Sequence, residues 1–96
     1  MENEKLVNVR QRLLTDSLVK QEYEALSLEY QLIEQLVQIR LTEQLTLDEL
    51  SKRIGIPKSN ISRFEHRKHS PTIETLIRYA AGLNKKIVLT ISDRKE

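Results

Sequence analysis

In the stretch LDELSKRIGIPKSNISRFEH, residues 47 to 66, a single glycine parts two short apolar-periodic runs. Leu47, Leu50 and Ile54 precede Gly55; Ile56, Ile61 and Phe64 follow it. Helices of two turns do not hold themselves together in water, so both must be part of a larger packed unit. Thr46 and Glu49 stand in the S/T-x-x-E arrangement that caps a helix start, which puts the first residue of one helix at Leu47. Gly55 can take the left-handed conformation that stops a helix. Pro57 falls in the first turn of the next helix, where a missing N–H costs nothing. A joint this short forces a steep, close crossing, and Ser51 is the small residue the crossing needs. The pattern predicts a helix-turn-helix unit.

The four breakers, Gly55, Pro57, Pro71 and Gly82, all lie in the second half of the chain. Everything before them reads helical. Leu6, Val9 and Leu13 predict a helix over about 4–14, and Thr15, Asp16 and Ser17 interrupt it. A second helix runs through Leu18, Val19 and Tyr23 to about Ala25. Ser27 caps a third, whose stripe is Leu28, Leu32, Leu36 and Ile39, widened by Ile33 and Val37. After the two-helix unit, Pro71 and Thr72 open a helix that turns Ile73, Leu76, Ile77 and Ala80 inward and closes at Gly82. The period then changes. KKIVLTIS alternates and is β-branched, which predicts a strand over Ile87, Val88, Leu89, Thr90 and Ile91. A lone strand has unpaired edges, and the simplest remedy is the same strand of a second copy, giving a two-fold dimer.

Charge separates along the chain. Residues 1–41 carry five Lys/Arg against seven Asp/Glu, net −2; residues 42–96 carry eleven against seven, net +4. Residues 52–78 hold seven cations (Lys52, Arg53, Lys58, Arg63, Arg67, Lys68, Arg78) against Glu65 and Glu74, net +5. A clustered positive patch beside an acidic half suggests a polyanion partner, although a solvated basic face reads the same on charge alone. There is no Cys, hence no thiolate nucleophile or thiolate metal site, in keeping with a reducing cytosol. No apolar run is long enough to span a bilayer, and MENEKLVNVRQR is acidic before it is apolar, unlike a signal peptide. The expectation is a cytoplasmic, nucleoid-associated protein without membrane contact. His66 and His69 have helical metal spacing, but no third ligand completes a site. No catalytic Ser/His/Asp set or phosphate-cradling glycine loop occurs. We therefore expect no enzyme activity, no metal and no cofactor.

With Ile61 and Phe64 inward, Lys58, Ser59, Ser62, Arg63 and His66 point outward and Asn60 lies at the margin. These donors suit base edges: Arg or Lys with guanine, Asn with adenine, Ser with either. Arg67, Lys68 and His69 follow and suit phosphates, and Thr46 at a helix N-terminus suits another. The run from Gln44 to Leu76, with ISRFE at 61–65 as its most telling piece, resembles the XRE family of Cro/C1-type repressors. That resemblance implies a mainly α, lambda-repressor-like domain of five or six helices, with the helix after Gly55 docked in a major groove. It departs from the family at three places. Leu47 replaces the usual Gln contact, Pro57 the usual capping Ser, and Arg67 the usual Gly, so the turn at Arg67 is expected to use another conformation.

Ahead of this unit, LLTDSLVKQEYEALSLEYQLIEQLVQIR resembles the front of HigA-type antitoxins, with EYEAL at 22–26 and EYQLI at 29–33 as its core; Ser17-Leu18 departs from the usual Pro-Glu. The resemblance implies a HigB or RelE-like endoribonuclease as partner, a dimer repressing its own operon through a palindromic operator in double-stranded DNA, and a toxin-facing segment that includes Leu18, Tyr23, Leu26 and Tyr30. The alternative is a free-standing XRE repressor without a toxin. The expected organisation is a helical extension over 1–26, the helix-turn-helix domain over 27–83, a dimerisation strand over 84–92 and a tail over 93–96.

Overall fold

The computed structural model describes residues 17–94. The helix expected over 4–14 lies outside them. Four helices follow in order: α1 Ser17–Thr42, α2 Leu47–Ile54, α3 Lys58–Glu65 and α4 Ile73–Gly82. The second and third expected helices are one. Ser27 lies inside α1 and interrupts nothing, because no Gly or Pro stands near it and both neighbours, Leu26 and Leu28, continue the helix. The chain divides within α1 into two compact units, Met1–Leu32 and Ile33–Glu96.

The second unit is built on a core of Ile33, Leu36, Leu45, Leu50, Ile54, Ile56, Ile61, Phe64, Leu76, Tyr79, Ala80 and Leu83. The buried stripe of α1 here is Ile33, Leu36 and Arg40: of the expected face, Leu36 and Ile33 are buried, Leu32, Val37 and Ile39 are half-buried, and Leu28 is exposed. The buried face of α4 is likewise rotated. Leu76, Tyr79 and Ala80 face in, while Ile73 and Ile77 are exposed. Burying Tyr79 sets that rotation: its ring packs tilted against Phe64, centroids 5.8 Å apart, and its hydroxyl reaches a buried carboxylate.

The caps explain where each helix ends. Thr46 and Glu49 form the expected capping box, Thr46 Oγ1 accepting from Glu49 N at 3.1 Å and Glu49 Oε1 from Thr46 N at 3.2 Å. Thr72 accepts from Thr75 N at 3.1 Å and opens α4. Gly55 ends α2 with φ 70°. The other three helices close without glycine. Gln44, Arg67 and Asn84 take φ 58°, 59° and 60°. Each is bracketed by the same pair of bonds, such as Arg67 N to Phe64 O and Lys68 N to Arg63 O, which is a Schellman closure.

Two expectations are corrected at this point. Arg67 does not need another conformation; it adopts the left-handed one itself, at a cost of about 1 kcal/mol that the closing bonds offset. Gly82 does not supply the left-handed residue; Asn84 does. Gly82 is small because α2 passes over it: a Cβ there would meet Ile54 Cγ2 at 2.5 Å and Leu50 Cδ1 at 2.6 Å.

No strand forms among the described residues, and 85–94 has no regular structure. A strand is defined by a ladder of hydrogen bonds to a neighbouring strand, and among the described residues there is no strand for this segment to pair with. Ile87 is half-buried, Val88, Leu89 and Thr90 are exposed, and Ile91 is 99% exposed. Among the described residues no helix is long and apolar enough to cross a membrane.

Candidate nucleic-acid interface

The α2–α3 joint is held from three sides. Ser51 Oγ donates to Ile56 O at 2.6 Å, so the small residue at the crossing also ties the turn. Arg78 Nη2 donates to Ile54 O at 2.6 Å, closing the end of α2 from α4. Ile56, Ile61 and Phe64 are buried beneath. Pro57 precedes α3 with no side-chain cap, and its carbonyl accepts from Asn60 N and Ile61 N at 3.0 and 3.2 Å. α3 is therefore a short rigid rod whose inner face is fixed.

The outer face carries Lys58, Ser59, Asn60 and Arg63, all exposed, with Ser62 half-buried. His66, Arg67, Lys68 and His69 follow, all exposed. His66 Nδ1 donates to Ser62 O at 2.7 Å, which turns Nε2 outward. The acid within this run, Glu65, is turned away from the face. Its carboxylate takes Arg40 Nε at 3.0 Å, Arg40 Nη2 at 2.8 Å and the Tyr79 hydroxyl at 2.6 Å. Arg40 also donates to Leu45 O at 2.9 Å. Burial works against the Arg40 charge, but the bonds to Glu65 and Tyr79 outweigh it and its pKa is raised. Burial first, then the Glu65 carboxylate, push the Tyr79 hydroxyl well above its ordinary range. Glu65 thus neutralises Arg40 within the fold and leaves Arg63 without an ion pair among the described residues.

Two cations of the face have acidic neighbours. Lys58 Nζ lies 3.3 Å from Asp48 Oδ1, and Arg67 Nη2 lies 3.7 Å from Glu34 Oε2. The first pair brings the start of α2 beside the start of α3. There Thr46 also gives its hydroxyl to Glu49, at 2.9 Å. The Thr46 backbone N–H, ahead of its hydroxyl, holds the Glu49 carboxyl below the usual range. A phosphate at Thr46 would have to displace that carboxylate. Leu47 is half-buried at the first position of α2. The residues expected to pair two copies lie along the exposed C-terminal segment, and those expected to face a toxin lie in the other unit, with Leu18, Tyr23 and Leu26 exposed and Tyr30 half-buried.

Sequence reading missed Asp48, the acid beside Lys58, and the Arg40–Glu65–Tyr79 network. A signal for the network existed: Arg40 continues the stripe of Ile33 and Leu36 at helical spacing, where an arginine is unexpected unless paired inside.

Residues 36–89 match the family described as Helix-turn-helix, more than half of the chain. The chain belongs to the helix-turn-helix family. The XRE-type resemblance is thereby borne out. Among curated proteins, this helix-turn-helix chain is similar to "Antitoxin HigA1" of two Mycobacterium tuberculosis strains, CDC 1551 / Oshkosh and ATCC 25618 / H37Rv. It is 33% identical to each over 60 residues, which cover 62% of this chain and 40% of the relative. The chain thus spans about two fifths of the length of the curated relatives it matches. No solved structure matches it.

Proposed function

We propose that this chain is an antitoxin that neutralises a HigB or RelE-like endoribonuclease and, as a dimer, binds a palindromic operator to repress its own operon. The observation that carries the DNA reading is the outer face of α3. It presents Lys58, Ser59, Asn60, Ser62 and Arg63 on a rigid rod, with its single acid, Glu65, buried against Arg40. Arg63 and Lys58 read guanine edges and Asn60 adenine, while Arg67, Lys68 and His69 hold phosphates, as does Thr46 once Glu49 gives way. Two copies pair through Ile87 to Ile91, where the exposed apolar side chains of Val88, Leu89 and Ile91 support the reading, and set the two α3 helices about one DNA turn apart. The antitoxin part rests on the similarity to HigA1 and on the acidic first half of the chain, which suits a basic ribonuclease surface.

Co-expression with a HigB- or RelE-like endoribonuclease, taken from any small basic reading frame beside this gene, tests the toxin reading. The expected result is a co-purifying complex and relief of growth arrest. If the chain binds its own promoter DNA but never that protein, it is a free-standing repressor. Deleting Ile87 to Ile91 is expected to give monomers with weaker operator affinity; a persistent dimer contradicts pairing through that segment.

A further inference from the structure

The ends of α2 and α4 meet where α2 passes over Gly82, and each end is closed by an arginine of the other helix. Arg53 Nη1 donates to Gly82 O at 2.9 Å, and Arg78 Nη2 donates to Ile54 O at 2.6 Å. With Ile54, Ala81, Gly82 and Asn84, these two arginines line one cleft of about 480 Å³. Sites for small molecules run from about 300 to 1,000 Å³. Arg53, Arg78, Ala81 and Asn84 are exposed, so the cleft is open to solvent.

Closing two helix ends does not use up the charge. Each helix C-terminus carries about half a negative charge, so the two together offset about one of the two guanidinium charges. A guanidinium has five N–H donors, and each of these gives one to the opposing carbonyl. No acid lines the cleft. Neither arginine has an ion pair among the described residues, whereas Arg40, Lys58, Arg67 and Lys85 each have one. Glu49, one turn before Arg53 on α2, feels the Arg53 charge but is bonded to Thr46. Two planar forks suited to carboxylate or phosphate are thus held in place before any ligand arrives. Ile54 and Ala81, apolar, suit a short carbon body beside them.

The cleft stands apart from the face that α3 offers to DNA. It lies at the C-terminal ends of α2 and α4, whereas Thr46 and Asp48 mark the start of α2, and Arg67, Lys68 and His69 precede α4. The lengths of these helices separate the two regions by on the order of 10 Å.

We propose that this cleft binds a small organic anion with two carboxylate or phosphate groups, one against Arg53 and one against Arg78.

The test is chemical-shift mapping of the isotope-labelled full chain with citrate and with phosphoglycolate, at an ionic strength held constant with sodium chloride. Saturable changes are expected at the amides of Ile54, Arg78, Gly82 and Asn84, with a Kd of about 1 mM or lower for at least one of the two anions. Acetate, with one carboxylate, is expected to bind at least about tenfold more weakly. Arg53→Gln, which can still donate to Gly82 O, is expected to weaken binding about tenfold. Ala81→Glu leaves both arginines in place but puts a carboxylate in the cleft, and is expected to abolish binding. Its affinity for promoter DNA should stay within about twofold of the parent. The helicity of both variants should match the parent, which separates a lost contact from a lost fold. No saturable change at these amides with either anion, changes confined to α3 and residues 66–69, or parental binding by both variants would overturn the site. Acetate binding as tightly as the parent's better anion would overturn the two-headed ligand. A marked loss of promoter affinity in Ala81→Glu would make the occupant a DNA phosphate and overturn the small-molecule assignment.

Discussion

Arg40, late in α1, and Glu65, the last residue of α3, are joined by two parallel hydrogen bonds, Nε to Oε2 at 3.0 Å and Nη2 to Oε1 at 2.8 Å. Both side chains are almost wholly buried, and Tyr79 of α4 bonds the same carboxylate. Three helices therefore converge on one charge pair that sets the angle of α3. Removing one partner strands the other in the core. Glu65→Ala is expected to cost about 3–5 kcal/mol in urea denaturation. The double variant Arg40→Met with Glu65→Leu is expected to cost much less. Equal losses would mean that the pair is not what holds the helices together.

Tyr79 gives the fold a pH limit. Its folded pKa lies above its ordinary value of about 10, because burial and then the Glu65 carboxylate disfavour the phenolate. A raised folded pKa makes stability complete below the unfolded pKa. That stability is lost as pH rises above about 10. The unfolding midpoint should fall between about pH 10 and 11.5, and Tyr79→Phe should remove that dependence. An unchanged pH profile in Tyr79→Phe would place the alkaline transition elsewhere.

Arg67 is a cation held in a conformation that favours glycine. Arg67→Gly is expected to raise stability by up to about 1 kcal/mol. It should also weaken DNA binding and lower the salt slope by about one. A stability loss would show that the side chain, through Glu34, contributes more than the backbone strain costs.

Gly82→Ala tests the close passage of α2 over α4. The added methyl meets Leu50 and Ile54, both buried, and is expected to cost about 1–3 kcal/mol. Thermal unfolding reads it directly; a neutral result would mean that α4 can shift without disturbing the joint.

The local signals in the sequence were enough to place α2, α3 and the start of α4. Thr46 with Glu49, Gly55, Pro57 and Thr72 each act within a few residues, so their chemistry is visible without the fold. The misreadings were of tertiary origin. Ser27 could cap a helix, but nothing else in the chain calls for a break there, so α1 runs on. The roles of Arg40 and Glu65 depend on a partner 25 residues away. Ile73 and Ile77 read as core by period alone, but a buried tyrosine with a polar tip fixes which side of α4 faces in. Gln44, Arg67 and Asn84 close helices that glycine rules would not mark. On the candidate interface, the outward residues of α3 followed by subtraction from its core face. The inward turn of Glu65 and the Asp48–Lys58 pair needed the packed structure.

Asp48 stands 3.3 Å from Lys58 and competes with any nucleic acid for it. Asp48→Asn should raise affinity for promoter DNA about twofold to fivefold, an effect that fades with added salt, as expected for an exposed pair. No gain at low salt would mean that Lys58 takes no part in binding.

The central claim is that α3 reads DNA, and fluorescence anisotropy on the chain's own promoter fragment tests it most directly. Arg63→Ala and Lys58→Ala both alter exposed side chains and should leave the melting temperature unchanged. Each is expected to weaken specific binding by about tenfold or more, and the unsubstituted chain should lose affinity steeply with salt. Wild-type affinity in the double variant, or a flat salt response, would contradict readout by this helix.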